Sequence, residues 1–309
     1  MFFKSPVAFL AALFAGFFSA LTTFAIVDAQ ELRAAPDRTP EGDVWRPLYD
    51  GIDVTNWSRQ TPLYRVFAAR IDLATPGLVM KATPRNKKYE ANKNETRRQT
   101  TLKFLEENEL FFAINTNYYL PFNAISIMTE GNADVSGLAV ADGVVVSPAQ
   151  EGFISLLFKK DEPPEIKRVF PEDNLDGVLF AFSGRKMTLS HGVPCQRNEK
   201  AQRDPRTAVG LSEDRRFLYF IVIDGRQEKY SIGATFDEEG KELLRCGAFD
   251  GFNLDGGGSS TMVVRGADGR GVVLNRPCNS TSDSLRNNAN AFGVRTSGKL
   301  KSPVRDGRK

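Results

Sequence analysis

The chain has 309 residues, with 41 Lys and Arg against 38 Asp and Glu and a formal net charge of +3. That length is ample for a buried core, and the weak, scattered basic excess is no footprint of nucleic-acid binding. One histidine excludes zinc sites built from two or three imidazoles, and no Gly-x-Ser-x-Gly elbow supports a Ser-His-Asp triad, so proton transfer falls mainly to carboxylates.

Taken in chain order, Lys4 precedes an apolar run from Val7 to Val27, and Val27-Asp28-Ala29 ends it in small residues. Residues 1–29 read as a secretory signal peptide cleaved before Gln30, or as an uncleaved anchor; either places the folded part outside the cytoplasm, in the periplasm or secreted. No later run is long and apolar enough to span a membrane. A linker over 30–45, one domain over 46–298 and a basic, solvated tail over 299–309 follow.

Strand signals, β-branched and aromatic runs bounded by Gly, Pro, Asn and Asp, cover Leu63 to Leu73, Phe111 to Ile114, Gly137 to Val146, Phe153 to Phe158, Phe217 to Asp224, Phe249 to Asp255 and Thr261 to Val264. Two helices are predicted between strands: Thr100 to Asn108, and a second opened by the capping box Thr235-Phe236-Asp237-Glu238, weakened by Gly240 and ended by Gly247. The expected fold class is α+β, a β-rich mixed sheet with a few inserted helices in a single domain. Of three cysteines, Cys246 reads as a small core residue, while Cys195 and Cys278 lie in loops and either bridge or stay free. His191 reads as a turn residue.

Polar groups gather at predicted strand ends. Asp255 closes one strand and is followed by Gly256, Gly257 and Gly258, then Ser259, Ser260 and Thr261. Glycines in such a turn let backbone N–H groups converge on an anion, although a plain hairpin uses the same residues. Asp224-Gly225-Arg226 ends a second strand, Arg206 enters a third after Pro205, and Asn115 ends a fourth. Arginine suits phosphate because its planar fork donates two parallel hydrogen bonds.

The segments Arg206-Thr207-Ala208-Val209-Gly210, Asp224-Gly225-Arg226, Ser231-Ile232-Gly233-Ala234-Thr235 and Asn253 to Met262, in this order, resemble the phosphodiester glycosidase family, which includes the mammalian lysosomal uncovering enzyme. The resemblance runs from about Tyr64 to Val294, with weaker echoes at Ala113-Ile114-Asn115, Ser183-Gly184 and Leu274 to Pro277. Thr116-Asn117-Tyr118 and Leu285-Arg286 depart from the family pattern, the latter standing where a Glu-Arg pair is common.

What the resemblance implies is hydrolysis of the bond between an anomeric carbon and a phosphate esterified to a second group, on an envelope or exopolysaccharide glycan. It places Asp255 and Asp224 as catalytic carboxylates, and Asn115, Arg206, Arg226, Asn253, Gly256, Gly257, Gly258, Ser259, Ser260 and Asn290 as substrate-binding residues. No cofactor is required by the sequence and no metal ligand is assigned. A divalent cation belongs to the alternative of a metal-dependent phosphodiesterase cutting P–O bonds. A non-catalytic polysaccharide-binding protein and a transferase using an acceptor sugar are the other readings.

Overall fold

The computed structural model describes residues 45–121, 129–195, 202–278 and 284–302, with the backbone of a short parallel pairing between Val27–Asp28 and Val304–Arg305. Apart from Val27 and Asp28, the signal peptide predicted over 1–29 lies outside these residues, as does part of the tail. Strands dominate, two helices are inserted between them, and the strands divide among several sheets. Apart from that short parallel pair, the observed strand pairings are antiparallel.

The largest sheet has eight strands, in the order Val193–Pro194, Met187–Ser190, Asp250–Asn253, Arg206–Leu211, Phe217–Ile223, Leu63–Asp72, Ile52–Gln60 and Arg46–Tyr49. Side chains alternate across a strand, and this sheet uses both faces. Phe67, Val209, Phe220, Val222 and Phe252 point into the main core, whereas Ala68, Ala208, Tyr219, Ile221 and Leu189 point to a second cluster with Leu243. That second face is covered by helix α2, Phe236–Cys246.

Facing the main core is a five-stranded sheet in the order Gly271–Val273, Met262–Arg265, Phe112–Asn115, Ala291–Arg295 and Val79–Ala82. Phe112 and Phe292 reach Phe220 of the large sheet at ring-centroid distances of 5.4 and 6.0 Å, which joins the two layers. Helix α1, Thr101–Glu107, caps the other face by burying Phe104 and Leu105 against Ala113, Val263 and Val273. A second five-stranded sheet includes Ile154–Lys159 and Val178–Gly184, and a three-stranded one joins Thr96–Arg98, Gly131–Val135 and Tyr119–Leu120.

Local signals set both helices. The Thr100 hydroxyl accepts from the Lys103 N–H, and the Thr235–Glu238 capping box is complete. Gly247 ends α2 in the left-handed region at φ 104°. Gly240 has a reason unrelated to helix propensity. A Cβ there would lie 2.1 Å from the Thr188 carbonyl oxygen, so the glycine lets α2 settle directly on the sheet.

Several expectations need correction. The run Gly137 to Val146 is not one strand but a hairpin, Ala139–Ala141 and Val144–Ser147, turned at Asp142 and Gly143, which both take positive φ. Of the two open readings for Cys195 and Cys278, the unbridged one holds; none of the three cysteines is in a disulfide, Cys195 being exposed and the other two buried. At the start of the basic tail Lys299 and Lys301 are exposed, while Leu300 packs on the core and the Lys301 ammonium pairs with Asp50 at 2.5 Å. Trp45, placed in the linker, packs against the second cluster near Tyr219.

Glu242 of α2 holds the helix to the sheet edge. Its buried carboxylate accepts from Trp57 Nε1 at 2.9 Å, Arg59 Nε at 2.8 Å and the Tyr64 hydroxyl at 2.7 Å. Glu242→Leu would orphan these donors and is expected to cost about 3–5 kcal/mol of folding stability, read by urea denaturation. A loss below about 1 kcal/mol would show that the cluster is not holding the helix.

Candidate active site

The ends of strands from both large sheets meet at Asp255. The Asn115 amide donates to the Asp255 carbonyl at 2.7 Å, the Asp255 N–H donates to the Thr116 carbonyl at 2.8 Å, and Asn115 Oδ1 accepts from the Thr207 hydroxyl and the Thr261 N–H. Asn115 therefore spends its side chain tying the two sheets to the glycine turn. Asn253 does similar work: its Oδ1 accepts from the N–H groups of Arg185 and Lys186, and its amide donates to the Tyr118 hydroxyl. Asn290 donates to Asn117 Oδ1 at 2.8 Å, and Asn117 in turn holds the carbonyls of Ser136 and Leu138.

The turn is not the row of amides that three glycines suggest. Gly257 donates to the Pro205 carbonyl, Ser259 to that of Gly256 and Ser260 to that of Gly257, so these N–H groups are consumed inside the protein. Only Gly257 of the three takes positive φ, at 62°. The glycines serve close approach instead. A Cβ on Gly256 would stand 2.7 Å from the Pro205 carbonyl oxygen, and one on Gly258 would stand 2.6 Å from Cζ of Arg286. Arg226 lies against Gly257, its Nη1 3.3 Å from where a Cβ would be, with Nε donating to Asp204 at 2.9 Å. Two guanidinium groups thus lie over the turn, Arg226 half-exposed and Arg286 buried.

Asp255 is 9% exposed. Burial pushes its carboxyl up to about 7, against the Ser259 hydroxyl, the Arg286 charge and the Gly256 N–H, which favour the ionised form. The Arg286 guanidinium also reaches the Ser259 hydroxyl, at 3.5 Å. Tyr118 and Tyr119 lie near Asp255; burial and the Asp255 charge raise both phenols, that of Tyr119 to about 12. Arg185 stacks over Tyr118 at 5.5 Å and over Phe153 at 5.2 Å, which places an exposed cation beside Tyr118.

Of the two expected catalytic carboxylates, Asp255 is 9% exposed and Asp224 1%. Asp224 is buried, accepting at Oδ1 from Asn275 at 2.8 Å and at Oδ2 from the Arg276 N–H at 2.8 Å and the Tyr230 hydroxyl at 3.1 Å. Asn275 carries the tie onward to the Ser260 carbonyl and the Met262 N–H, so Asp224 buttresses the far side of the turn. Arg206 lies on the near side, donating from Nε to the Ala234 carbonyl at 2.8 Å and from Nη2 to that of Gln202 at 2.9 Å while stacking on Phe236 at 3.9 Å. Tyr118, Arg286 and Arg185 were not read as site residues from the sequence. Among the described residues no group of three or more His, Cys, Asp or Glu side chains is placed to hold a metal ion, and no helix is long and apolar enough to cross a membrane.

Comparisons with known proteins bear on the fold and the family. The chain is 25% identical over 187 residues to the SPbeta prophage-derived uncharacterized protein YomE of Bacillus subtilis, covering 55% of this chain but only 27% of that protein. A crystal structure of a hypothetical protein from Synechocystis shares the fold at TM-score 0.58 and 12% identity, over 80% of this chain and 62% of that one. So does the catalytic domain of zebrafish N-acetylglucosamine-1-phosphodiester alpha-N-acetylglucosaminidase, auto-inhibited by its pro-peptide, at TM-score 0.57 and 15% identity over 84% and 85% of the two chains. The family model for phosphodiester glycosidases matches residues 78–295, which hold the glycine turn, Arg206, Arg226, Arg286 and the strands that carry them, and the chain belongs to that family.

Proposed function

We propose that the protein is an exported hydrolase that cleaves the glycosidic C–O bond of a sugar-1-phosphodiester carried on an envelope or exopolysaccharide glycan. The observation that carries this reading is a buried carboxyl, Asp255, set against a turn overlaid by two guanidinium groups. A phosphodiester brings one negative charge for the arginines, and the oxocarbenium-like transition state at the anomeric carbon brings a developing positive charge for a carboxylate. One site thus meets both charges.

In this reading Arg286 and Arg226, with Arg206 at the side, hold the phosphate, and the Ser259 hydroxyl bridges Arg286 and Asp255. Asp255, ionised above about 7, activates water or stabilises the sugar cation. Water oxygen is transferred to the anomeric carbon, the bond from that carbon to the phosphate oxygen breaks, and a phosphate monoester leaves. A phosphate is a good leaving group, so strong acid assistance is not needed. Asn115, Asn253 and Asn290 hold the frame, Ser260 packs within the turn, and Asp224 braces it.

The test is a screen of sugar-1-phosphodiesters for released sugar, with and without a chelator, followed by hydrolysis in isotopically labelled water. Label on the sugar is expected. Label on the phosphate with chelator sensitivity would instead identify a metal-dependent phosphodiesterase, and binding without turnover a polysaccharide-binding protein. Arg286→Lys keeps the charge but loses the fork, and should lower kcat/KM by the equivalent of about 1.5–3 kcal/mol. An unchanged kcat/KM would remove Arg286 from the site.

A further inference from the structure

A second carboxyl lies close to the site and takes no part in the reading above. Glu239, in the first turns of α2, is fully buried; the Thr188 hydroxyl lies near it, but neither of its oxygens has a hydrogen bond of regular geometry among the described residues. The sheet fixes what it faces. Ala208 lies under α2 with Leu243, and Arg206, two residues earlier on the same strand, projects from the same face. Asn253 pairs opposite Ala208 and leaves the sheet on that side too, where its amide meets the Tyr118 hydroxyl. Glu239, Arg206, Asn253 and Tyr118 therefore share one side of the sheet end, and the Tyr118 phenol responds to both Asp255 and Glu239.

Arg206 is the charge Glu239 can act on. Its two hydrogen bonds end on backbone carbonyls, which take its donors but do not neutralise it. An ionised carboxylate beside it would. The other charged groups of α2 and its neighbours are engaged elsewhere: Asp237 with Lys241, Glu238 with Arg203, and Glu242 with Arg59. Lys186 stacks on Phe236, and Asp250 holds the His191 N–H. Burial pushes the Glu239 carboxyl up to about 8, while the Arg206 charge and the Thr188 hydroxyl pull it down, so it is neutral below about 8 and ionised above.

We propose that Glu239 is a positioning residue of the site: neutral, it leaves Arg206 uncompensated for the anionic substrate, and on ionising it neutralises that arginine and weakens capture of the phosphodiester. This rests on the phosphodiester reading of the site. It assigns the alkaline limb of the pH profile to Glu239, while Asp255 sets the acid limb.

The experiment uses dimethyl phosphate, a monoanion throughout the range, with binding followed by NMR at about pH 6 and about pH 9.5. To remove the contribution of Asp255 it compares Asp255→Asn with Asp255→Asn/Glu239→Gln. The single variant is expected to bind about tenfold more weakly at the higher pH, the scale of one nearby charge, and the double variant to bind equally at both. In parallel, Glu239→Gln should retain turnover at neutral pH and lose the alkaline fall in kcat/KM, and Glu239→Leu, of similar volume, should behave alike if the amide disturbs packing. An alkaline fall in binding that survives in the double variant, or is absent from the single one, overturns the assignment. If no sugar is released by any variant while the pH-dependent binding follows expectation, the hydrolase reading fails and the role of Glu239 stands.

Discussion

Asp255→Asn is expected to lower kcat by at least ~100-fold, the scale of a lost acid–base group, while the protein stays folded. The amide keeps the shape of the side chain and can still accept from the Ser259 hydroxyl and the Gly256 N–H, but it carries neither charge nor basicity. The same change should raise stability in alkaline solution. Asp255 has a folded-state pKa of about 7, above its unfolded value near 3.8, so the folded protein binds the extra proton between them. Stability of the wild type therefore falls as pH rises from about 4 to about 7, and the full penalty of a buried charge persists above that. Asn escapes this penalty, up to about 4 kcal/mol for a shift of this size. Melting curves at about pH 5 and pH 8.5 should show the variant gaining on the wild type far more at the higher pH. A fully active variant, or one whose activity loss follows a collapsed Tm, would move the catalytic role elsewhere.

Gly184→Ala is the backbone counterpart. A Cβ at Gly184 would lie 1.6 Å from the Asn253 carbonyl oxygen and 2.8 Å from the Phe252 ring, a fully buried side chain with no room to retreat. The φ there is not in the left-handed region, so the glycine answers to contact alone. The strand ends must separate, moving Asn253 and with it the Tyr118 hydroxyl and the approach to Asp255. A stability loss of about 3 kcal/mol or more is expected, beyond ordinary overpacking because main chain rather than a side-chain tip is struck. Activity should fall in the fraction that remains folded. Gly152→Ala is the contrast: nothing lies within 4 Å of its Cβ, but its φ of 82° carries a cost of about 1 kcal/mol. Equal losses for the two in urea denaturation would show that the strand contact at Asn253 is not tight.

These two positions also show what was legible beforehand. The turn at Asp255 was legible because its signal is local: an acid, three glycines and three hydroxyls in consecutive positions. The helices were legible for the same reason, their caps lying within four residues of each other. Ile52–Gln60 was missed as a strand because Asp53, Asn56 and Ser58 break its apolar run, although Ile52, Val54 and Trp57 are buried. The strand at Ala291–Arg295 offers only five residues after an asparagine-rich stretch, yet it runs through the middle of a sheet. Arg286, Tyr118 and Glu239 carry no local mark, since each matters only through what another segment brings beside it. Gly240 misled in an instructive way: read as a helix weakness, it is a contact surface, and nothing in the helix itself says so.

The position of Ala291–Arg295 also bears on how the chain reaches its active form. This strand lies between Phe112–Asn115 and Val79–Ala82, so the second sheet has a gap until Ala291–Arg295 is in place. Val79–Ala82 has no other partner in its sheet, and the two pairings join segments about 180 and 210 residues apart, which makes loop closure slow to be repaid. During synthesis the Asp255 turn therefore emerges long before the frame that orders it, and a nascent chain exposes unpaired strand edges on both sides of the vacancy. Insertion of that strand is also what brings Asn290 to Asn117.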